Sequence, residues 1–142
     1  MAEDFTPSTT TRVERTFAFI DLCGFTAFTE LEGDDRAVAV LSSFRDVVRT
    51  IASERGVRIA KWLGDGAMLV GVEAEPLMEA SVEIEDQISS SVPLPLRAGV
   101  TVGPVILIDG DDYIGLAVNM ASRLCAEAAA HEVLAPADAV SA

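Results

Sequence analysis

Residues 17–30 read FAFIDLCGFTAFTE, and this stretch decides the fold. Its first part, Phe17 to Leu22, is a short apolar run, which predicts a buried strand. Gly24 then predicts a tight turn, and Phe25 to Glu30 can start a helix. Order in the chain therefore begins with a strand, a turn and a helix.

The downstream patterns extend this start into an α+β fold. Apolar residues share one helical face from Ala37 to Ile51, and Gly56 predicts the end of that helix. The later predictions are a hairpin over 56–72 with its tip at Gly64-Asp65-Gly66, a helix over 77–88, strands over 94–101 and 105–108, an Ala-rich helix over 116–130 and a short strand near Val133. This β-α-β-β-α-β-β-α-β order predicts a ferredoxin-like βαββαβ core, with helices packed on a mainly antiparallel sheet.

Length and composition predict one domain. The chain has 142 residues, half of them apolar, which is enough for a real core. Residues 1–15 lack a clear periodicity and predict a flexible N-terminal arm, so the domain is expected over 16–142. No apolar run approaches the length of a membrane span, and residues 1–15 are too polar for a secretory signal. We expect a cytoplasmic protein without a membrane partner, or a piece of a longer protein with a regulatory domain.

The charge balance excludes one class of partner. The formal net charge is −13, so non-specific attraction to nucleic acid is not expected. A polyanionic substrate would need metal cations and a few well-placed basic residues in this field. The distant Cys23 and Cys125 form no CxxC pair, which predicts free thiols and neither a zinc site nor a disulfide framework.

Two aspartates are candidates for a metal site. Asp21 stands where the first strand should end and Asp65 stands on the hairpin tip, so both can project from one edge of the sheet. Two converging carboxylates suit magnesium, which shares its other positions with water and phosphates. Taken singly, each is more often a turn or cap residue, and Asp-Gly is a common hairpin dipeptide.

Two further groups are ambiguous on their own. The backbone between the strand and the helix start can bind phosphate through free N–H groups and the helix dipole, but it matches neither common phosphate-loop pattern. Its residues are Leu22, Cys23, Gly24, Phe25 and Thr26. Asn119 and Arg123, four apart on the Ala-rich helix, can hold a sugar and a phosphoryl charge. A capped helix with a solvated Arg is the better interpretation of that pair in isolation.

In combination, these segments resemble the class III nucleotidyl cyclases, particularly the compact bacterial adenylyl cyclases. The resemblance runs from about Thr16 to Ala135. Its segments are FAFIDLCGFTAFTE at 17–30, KWLGDGAMLVG at 61–71, LRAGVTVGPV at 96–105 and DYIGLAVNMASRL at 112–124.

The resemblance implies a role for each matching residue. Asp21 and Asp65 would bind two ions, Mg²⁺ or Mn²⁺, in each active site, with the Ile20 carbonyl as a further ligand. Lys61 and Asp112 match the purine-reading positions. Asn119 and Arg123 match the pair that orients ribose and stabilises the transition state, and Arg97 matches a triphosphate-binding position.

The resemblance also implies a reaction and an assembly. It implies conversion of ATP to 3',5'-cyclic AMP and pyrophosphate by a symmetric homodimer whose sites are shared between subunits. Lys61 donates and ionised Asp112 accepts, which suits adenine better than guanine. The alternatives are a guanylyl cyclase and a non-catalytic cyclase-like module that binds nucleotide for regulation.

Overall fold

One six-stranded sheet and four helices make up the described part of the chain, residues 11–110 and 112–137 of a computed structural model. The strands are β1 (Thr11–Leu22), β2 (Arg58–Trp62), β3 (Gly66–Gly71), β4 (Leu96–Ile108), β5 (Asp112–Ile114) and β6 (Val133–Leu134). The helices are α1 (Phe25–Glu32), α2 (Asp34–Arg55), α3 (Ala74–Ser91) and α4 (Leu116–Glu127). Across these residues, no helix combines the length and apolar character needed to cross a bilayer.

The order of the strands confirms the predicted fold class. The sheet runs β2-β3-β1-β4-β5, with antiparallel neighbours throughout, and β6 adds to β4 in parallel. Its first four strands, in the order β2-β3-β1-β4, have the arrangement of a ferredoxin-like βαββαβ unit, with α2 and α3 as the two connections. β3 and β4, the two neighbours of β1, therefore both begin at the edge of the sheet where β1 ends.

The helices cover both faces of the sheet. Alternate residues of β1 point in opposite directions, so Ile20 packs with Phe44 of α2 and Ile84 of α3, whereas Phe17 packs with Ala121 of α4. The prediction of helices packed on a sheet is thus refined, because α4 lies on the face opposite α2 and α3. That second face carries the odd-numbered side chains at the end of β1.

The structure corrects the prediction of two strands over 94–101 and 105–108. Residues 96–108 form the single strand β4, which pairs with β1 from Leu96 through Leu107 without interruption. Pro104 lies between the two parts of β4 that pair on its outer edge, at Gly99 and Ile106. A residue without an N–H is accepted there because no strand needs that donor. The short strand β5 was not predicted.

Two predicted boundaries also change. β1 begins at Thr11 instead of Phe17, because its first residues pair with the far half of β4; residues 1–10 of the predicted arm lie outside the described residues. α4 ends at Glu127 instead of residue 130. The N–H of His131 bonds to the Leu96 carbonyl at 2.8 Å, so the chain turns back to β4 despite the helix propensity of its alanines.

Candidate functional site

The structure brings Asp21 and Asp65 together at the end of β1, as the sequence predicts. Asp21 is paired in register with Gly66, and the N–H of Leu22 donates a 3.0 Å hydrogen bond to the Asp65 carbonyl. Both carboxylates are half-buried. The antiparallel order explains the meeting, because the end of β1 and the start of β3 lie side by side.

The glycines of the hairpin tip serve this close approach. Gly64 has a φ of 67°, a left-handed conformation that glycine adopts readily. Gly66 instead needs space, because a Cβ there would collide with the Ile20 carbonyl oxygen and would lie 3.4 Å from Asp21 Oδ1. The Gly-Asp-Gly triplet therefore forms the turn and also allows Asp65 to lie close to β1.

Two carboxyl groups and one guanidinium lie at this edge of the sheet. Burial, and then the negative charge of Asp21, raises the pKa of the Asp65 carboxyl. Arg97, on β4, lies opposite Asp21 and donates to its Oδ2 from Nη2 at 3.0 Å and from Nε at 3.2 Å. The bond to Asp21 raises the pKa of Arg97, so the guanidinium stays charged. Arg97 is thus bonded to Asp21 and acts on Asp65 only through space.

The residues predicted to bind phosphate surround the same edge. They line a cleft of about 450 Å³. The lining residues are Asp21, Leu22, Cys23, Gly24, Phe25, Thr26, Asp65, Arg97, Ala128 and Ala130. Ile20 does not line this cleft, but it lines an adjoining cavity together with Asp21, Gly66 and Arg97. The Ile20 carbonyl oxygen and Asp21 Oδ1 both face the Cα of Gly66, so the predicted carbonyl ligand lies near the Asp21 carboxylate.

Only part of the predicted phosphate-binding backbone has free donors. The N–H groups of Leu22 and Cys23 bond to the carbonyls of Asp65 and Pro95. α1 starts after Gly24, and its first helical bond runs from Phe28 to that glycine at 2.9 Å. The amides of the first turn, beginning at Phe25, have no intrahelical acceptor and can face an anion.

Lys61 and Asp112 lie side by side on the second face of the sheet. Nζ of Lys61 is 3.8 Å from Oδ1 of Asp112, and both side chains are about half exposed. A bulge between Ile59 and Lys61 shifts the register of β2 so that Lys61 stands opposite Met68. Without the bulge, Lys61 would stand opposite Ala67 and point towards α2.

Two residues that the sequence analysis missed hold β5 over this face. The Tyr113 ring packs edge to face on Phe17 with centroids 5.5 Å apart, and its hydroxyl accepts a 3.0 Å bond from Arg58 Nη2. These contacts connect strands at opposite edges of the sheet. Tyr113 lies in the DYIG segment that the sequence analysis singled out, but only the folded chain shows its contacts with Phe17 and Arg58.

Asn119 and Arg123 occupy the outer side of α4. Thr101 Oγ1 donates a 2.6 Å bond to the Ala117 carbonyl, and Ala121 and Cys125 are buried against β4. Asn119 and Arg123 are exposed and do not line the cleft at Asp21. The structure therefore keeps this pair together but does not bring it to the carboxylates of the same chain.

Both cysteines are free, as predicted. Cys23 is half-buried in the cleft, and Cys125 is on the side of α4 that is buried against β4. Burial, with a contribution from the charge of Asp21, raises the pKa of the Cys125 thiol to about 11. Burial also raises the pKa of Cys23.

Comparison with known sequences gives relatives of greater length. An uncharacterised protein of Mycobacterium tuberculosis is 36% identical over 120 residues, covering 84% of this chain and 32% of the relative. An adenylate cyclase of Streptomyces coelicolor is 30% identical over 123 residues, covering 86% of this chain and 30% of the relative. The chain thus spans about a third of the length of these relatives. No family model matches it.

Solved structures provide the second comparison. The adenylyl cyclase CyaB from P. aeruginosa superposes with a TM-score of 0.83 at 25% identity, over 93% of this chain and 81% of that one. A guanylyl cyclase domain from Blastocladiella emersonii superposes with a TM-score of 0.83 at 21% identity, over 92% and 85% of the two chains, and shows the fold alone. By sequence and structure together, this chain belongs to the class III nucleotidyl cyclase catalytic domains.

Proposed function

We propose that this chain is an adenylyl cyclase domain that converts ATP to 3',5'-cyclic AMP and pyrophosphate. The observation that carries the choice of ATP is the meeting of Lys61 and Asp112 at 3.8 Å. Lys61 can only donate, to N1 of adenine, and ionised Asp112 can only accept, from the exocyclic amino group. Guanine presents an acceptor O6 and a donor N1–H, so the same pair would oppose it.

The residues of the cleft fit divalent cations. Asp21 and Asp65 offer hard oxygen ligands, and the effect of Asp21 on the pKa of Asp65 shows a repulsion that a cation would relieve. Two Mg²⁺ or Mn²⁺ ions, when bound, would acidify the ribose 3'-hydroxyl and neutralise the leaving pyrophosphate. Arg97 and the α1 amides lie in the same cleft and would contact the phosphates.

The reaction would be an in-line displacement. The ribose 3'-oxygen forms a bond to the α-phosphorus, the bond from that phosphorus to pyrophosphate breaks, and the hydroxyl proton passes to solvent. Asn119 would orient the ribose, and Arg123 would meet the charge that develops on the α-phosphate. By analogy with other phosphoryl-transfer arginines, loss of Arg123 would lower the rate roughly 10³-fold or more.

The placement of these residues supports a homodimer with shared sites. The carboxylates line the cleft at the end of β1, whereas Asn119 and Arg123 project outward from α4. A second copy related by a two-fold axis would bring its α4 to the first copy's cleft and accept the first copy's α4 at its own. Each dimer would then have two composite sites.

The test is a product assay on purified protein with ATP or GTP and with Mg²⁺ or Mn²⁺. Cyclic AMP from ATP is expected to be the main product. Asp21→Ala and Asp65→Ala should each lower the rate by about 10²-fold or more, because each removes a cation ligand. Asp46→Ala, which removes an exposed carboxylate on α2, is the matched control and should stay active.

Two alternatives give different results in that assay. A guanylyl cyclase, which is the activity of several structural neighbours, would make cyclic GMP. A non-catalytic module would bind nucleotide without forming either product. Near-normal activity of a folded Asp21→Ala or Asp65→Ala protein, checked by circular dichroism, would reject the metal assignment.

A further inference from the structure

Arg97 holds one specific oxygen of Asp21. Its Nε and Nη2 both donate to Oδ2, at 3.2 and 3.0 Å, while Oδ1 lies on the side of Gly66. The two residues are cross-strand partners in the β1–β4 ladder, and each side chain is about 30% exposed. This pair is thus built into the sheet and partly shielded from water, unlike a surface salt bridge.

The remaining side of the guanidinium is also held. Nη1 of Arg97 donates a 3.0 Å bond to the Ala126 carbonyl in the last turn of α4. Carbonyls of a last helical turn lack intrahelical donors and carry the negative end of the helix dipole, so they favour a cation. Arg97 is therefore oriented from both ends, by Asp21 and by α4.

We propose that Arg97 is a built-in counter-ion that occupies Asp21 when no metal is bound and that a divalent cation displaces. This inference rests on the proposed metal site. Arg97 supplies a positive charge that is bonded to Asp21, in the cleft that Asp65 also lines. A cation held by Asp21 would compete for the lone pairs of Oδ2 that Nε and Nη2 now use, and it would repel the guanidinium.

Displacement has a consequence inside the same cleft. Arg97 lines the cleft together with Gly24 and Thr26, two residues of the predicted phosphate-binding backbone. Once released from Asp21, its planar donors are available to an anionic group of the substrate. Cation entry and polyphosphate binding are then coupled through one side chain, because the same guanidinium serves Asp21 in one state and the phosphates in the other.

The first test is calorimetric titration of MnCl₂ into nucleotide-free protein at neutral pH. Arg97→Met should bind Mn²⁺ about tenfold more tightly than the unmodified chain, because the competing cation is gone. Arg97→Lys, which keeps a charge but loses the two-nitrogen contact, should show a smaller gain in Mn²⁺ affinity. This variant provides the test if Arg97→Met does not fold. Arg55→Met is the control, because it deletes an arginine paired with Glu79 and Glu83, outside the cleft.

The results separate the inference from the proposed function. Unchanged affinity in both Arg97 variants, or an equal gain in Arg55→Met, would overturn the counter-ion role alone. Binding that is the same in Asp21→Ala as in the unmodified chain would overturn the metal site and the counter-ion role together. Tighter binding confined to the Arg97 variants supports the inference.

The second test observes the side chain itself. The Nε–H resonance of Arg97, assigned by its absence in Arg97→Lys, should move towards that of a free arginine as MgCl₂ saturates the protein. A resonance that stays unchanged while Mg²⁺ binds would show that the guanidinium remains on Asp21, and would overturn the proposal.

Discussion

Lys61 Nζ lies 3.8 Å from Asp112 Oδ1, although the two residues belong to strands at opposite edges of the sheet. The bulge in β2 turns Lys61 to the second face, and the contacts of Tyr113 with Phe17 and Arg58 hold β5 over that face. The proposed base specificity therefore depends on two elements that only tertiary contacts bring together.

The first prediction concerns that specificity. The double variant Lys61→Glu, Asp112→Gly should lose at least about tenfold in the ratio of kcat/KM for ATP to that for GTP, because its donor and acceptor no longer match adenine. Arg49→Met removes a cation that stacks on Trp62, on the other face of β2, and should leave the ratio unchanged. An unchanged ratio in the double variant would show that the base is read elsewhere.

The second prediction tests the sharing of sites between subunits. Asp21→Ala and Arg123→Ala chains should each be inactive alone, because every homodimeric site then lacks one required group. After random exchange, half of the dimers are mixed and each has one intact site, so activity should return to about a quarter of the unmodified level. Exchange is verified by a tagged pull-down, and exchange without recovered activity would place both groups in one subunit.

The third prediction concerns the packing of α4. A Cβ at Gly99 would collide with the Ala121 carbonyl and the Cys125 amide, whereas one at Gly103 would meet only the Ala117 Cβ, at 3.2 Å. Gly99→Ala should lower the free energy of unfolding by roughly 1–3 kcal/mol, and Gly103→Ala by less. Denaturant unfolding measures both, and equal losses would contradict this close approach.

The fourth prediction concerns thiol reactivity. Because burial raises the pKa of Cys125 to about 11, its reactive thiolate is scarce at pH 8 and increases as the pH rises towards 11. Cys23, half-buried, should be alkylated by iodoacetamide before Cys125. Peptide mapping by mass spectrometry gives the order, and equal labelling of both thiols at pH 8 would contradict the buried position of Cys125.

Much of the fold is predictable because local patterns determine it. β1 matches the apolar run after Thr16, and α2 matches the helical face that ends at Gly56. The turn between β2 and β3 matches the Gly-Asp-Gly tip. The boundaries that differ are those where distant pairing acts. The predicted break between two strands, which contains Pro104, lies within β4. The alanines after Glu127 are not helical, because the N–H of His131 bonds to the Leu96 carbonyl of β4.

For the site, the sequence by itself determined which residue types are present and that Asp21 and Asp65 stand at a strand end and a hairpin tip, where antiparallel order makes them neighbours. The tertiary structure decided the rest. The bulge before Lys61 directs that residue to Asp112, and the pairing of β1 with β4 places Arg97 on Asp21. These contacts join residues far apart in the chain, and their geometry follows from the register between distant strands, which is fixed when the apolar face of each strand packs into the core.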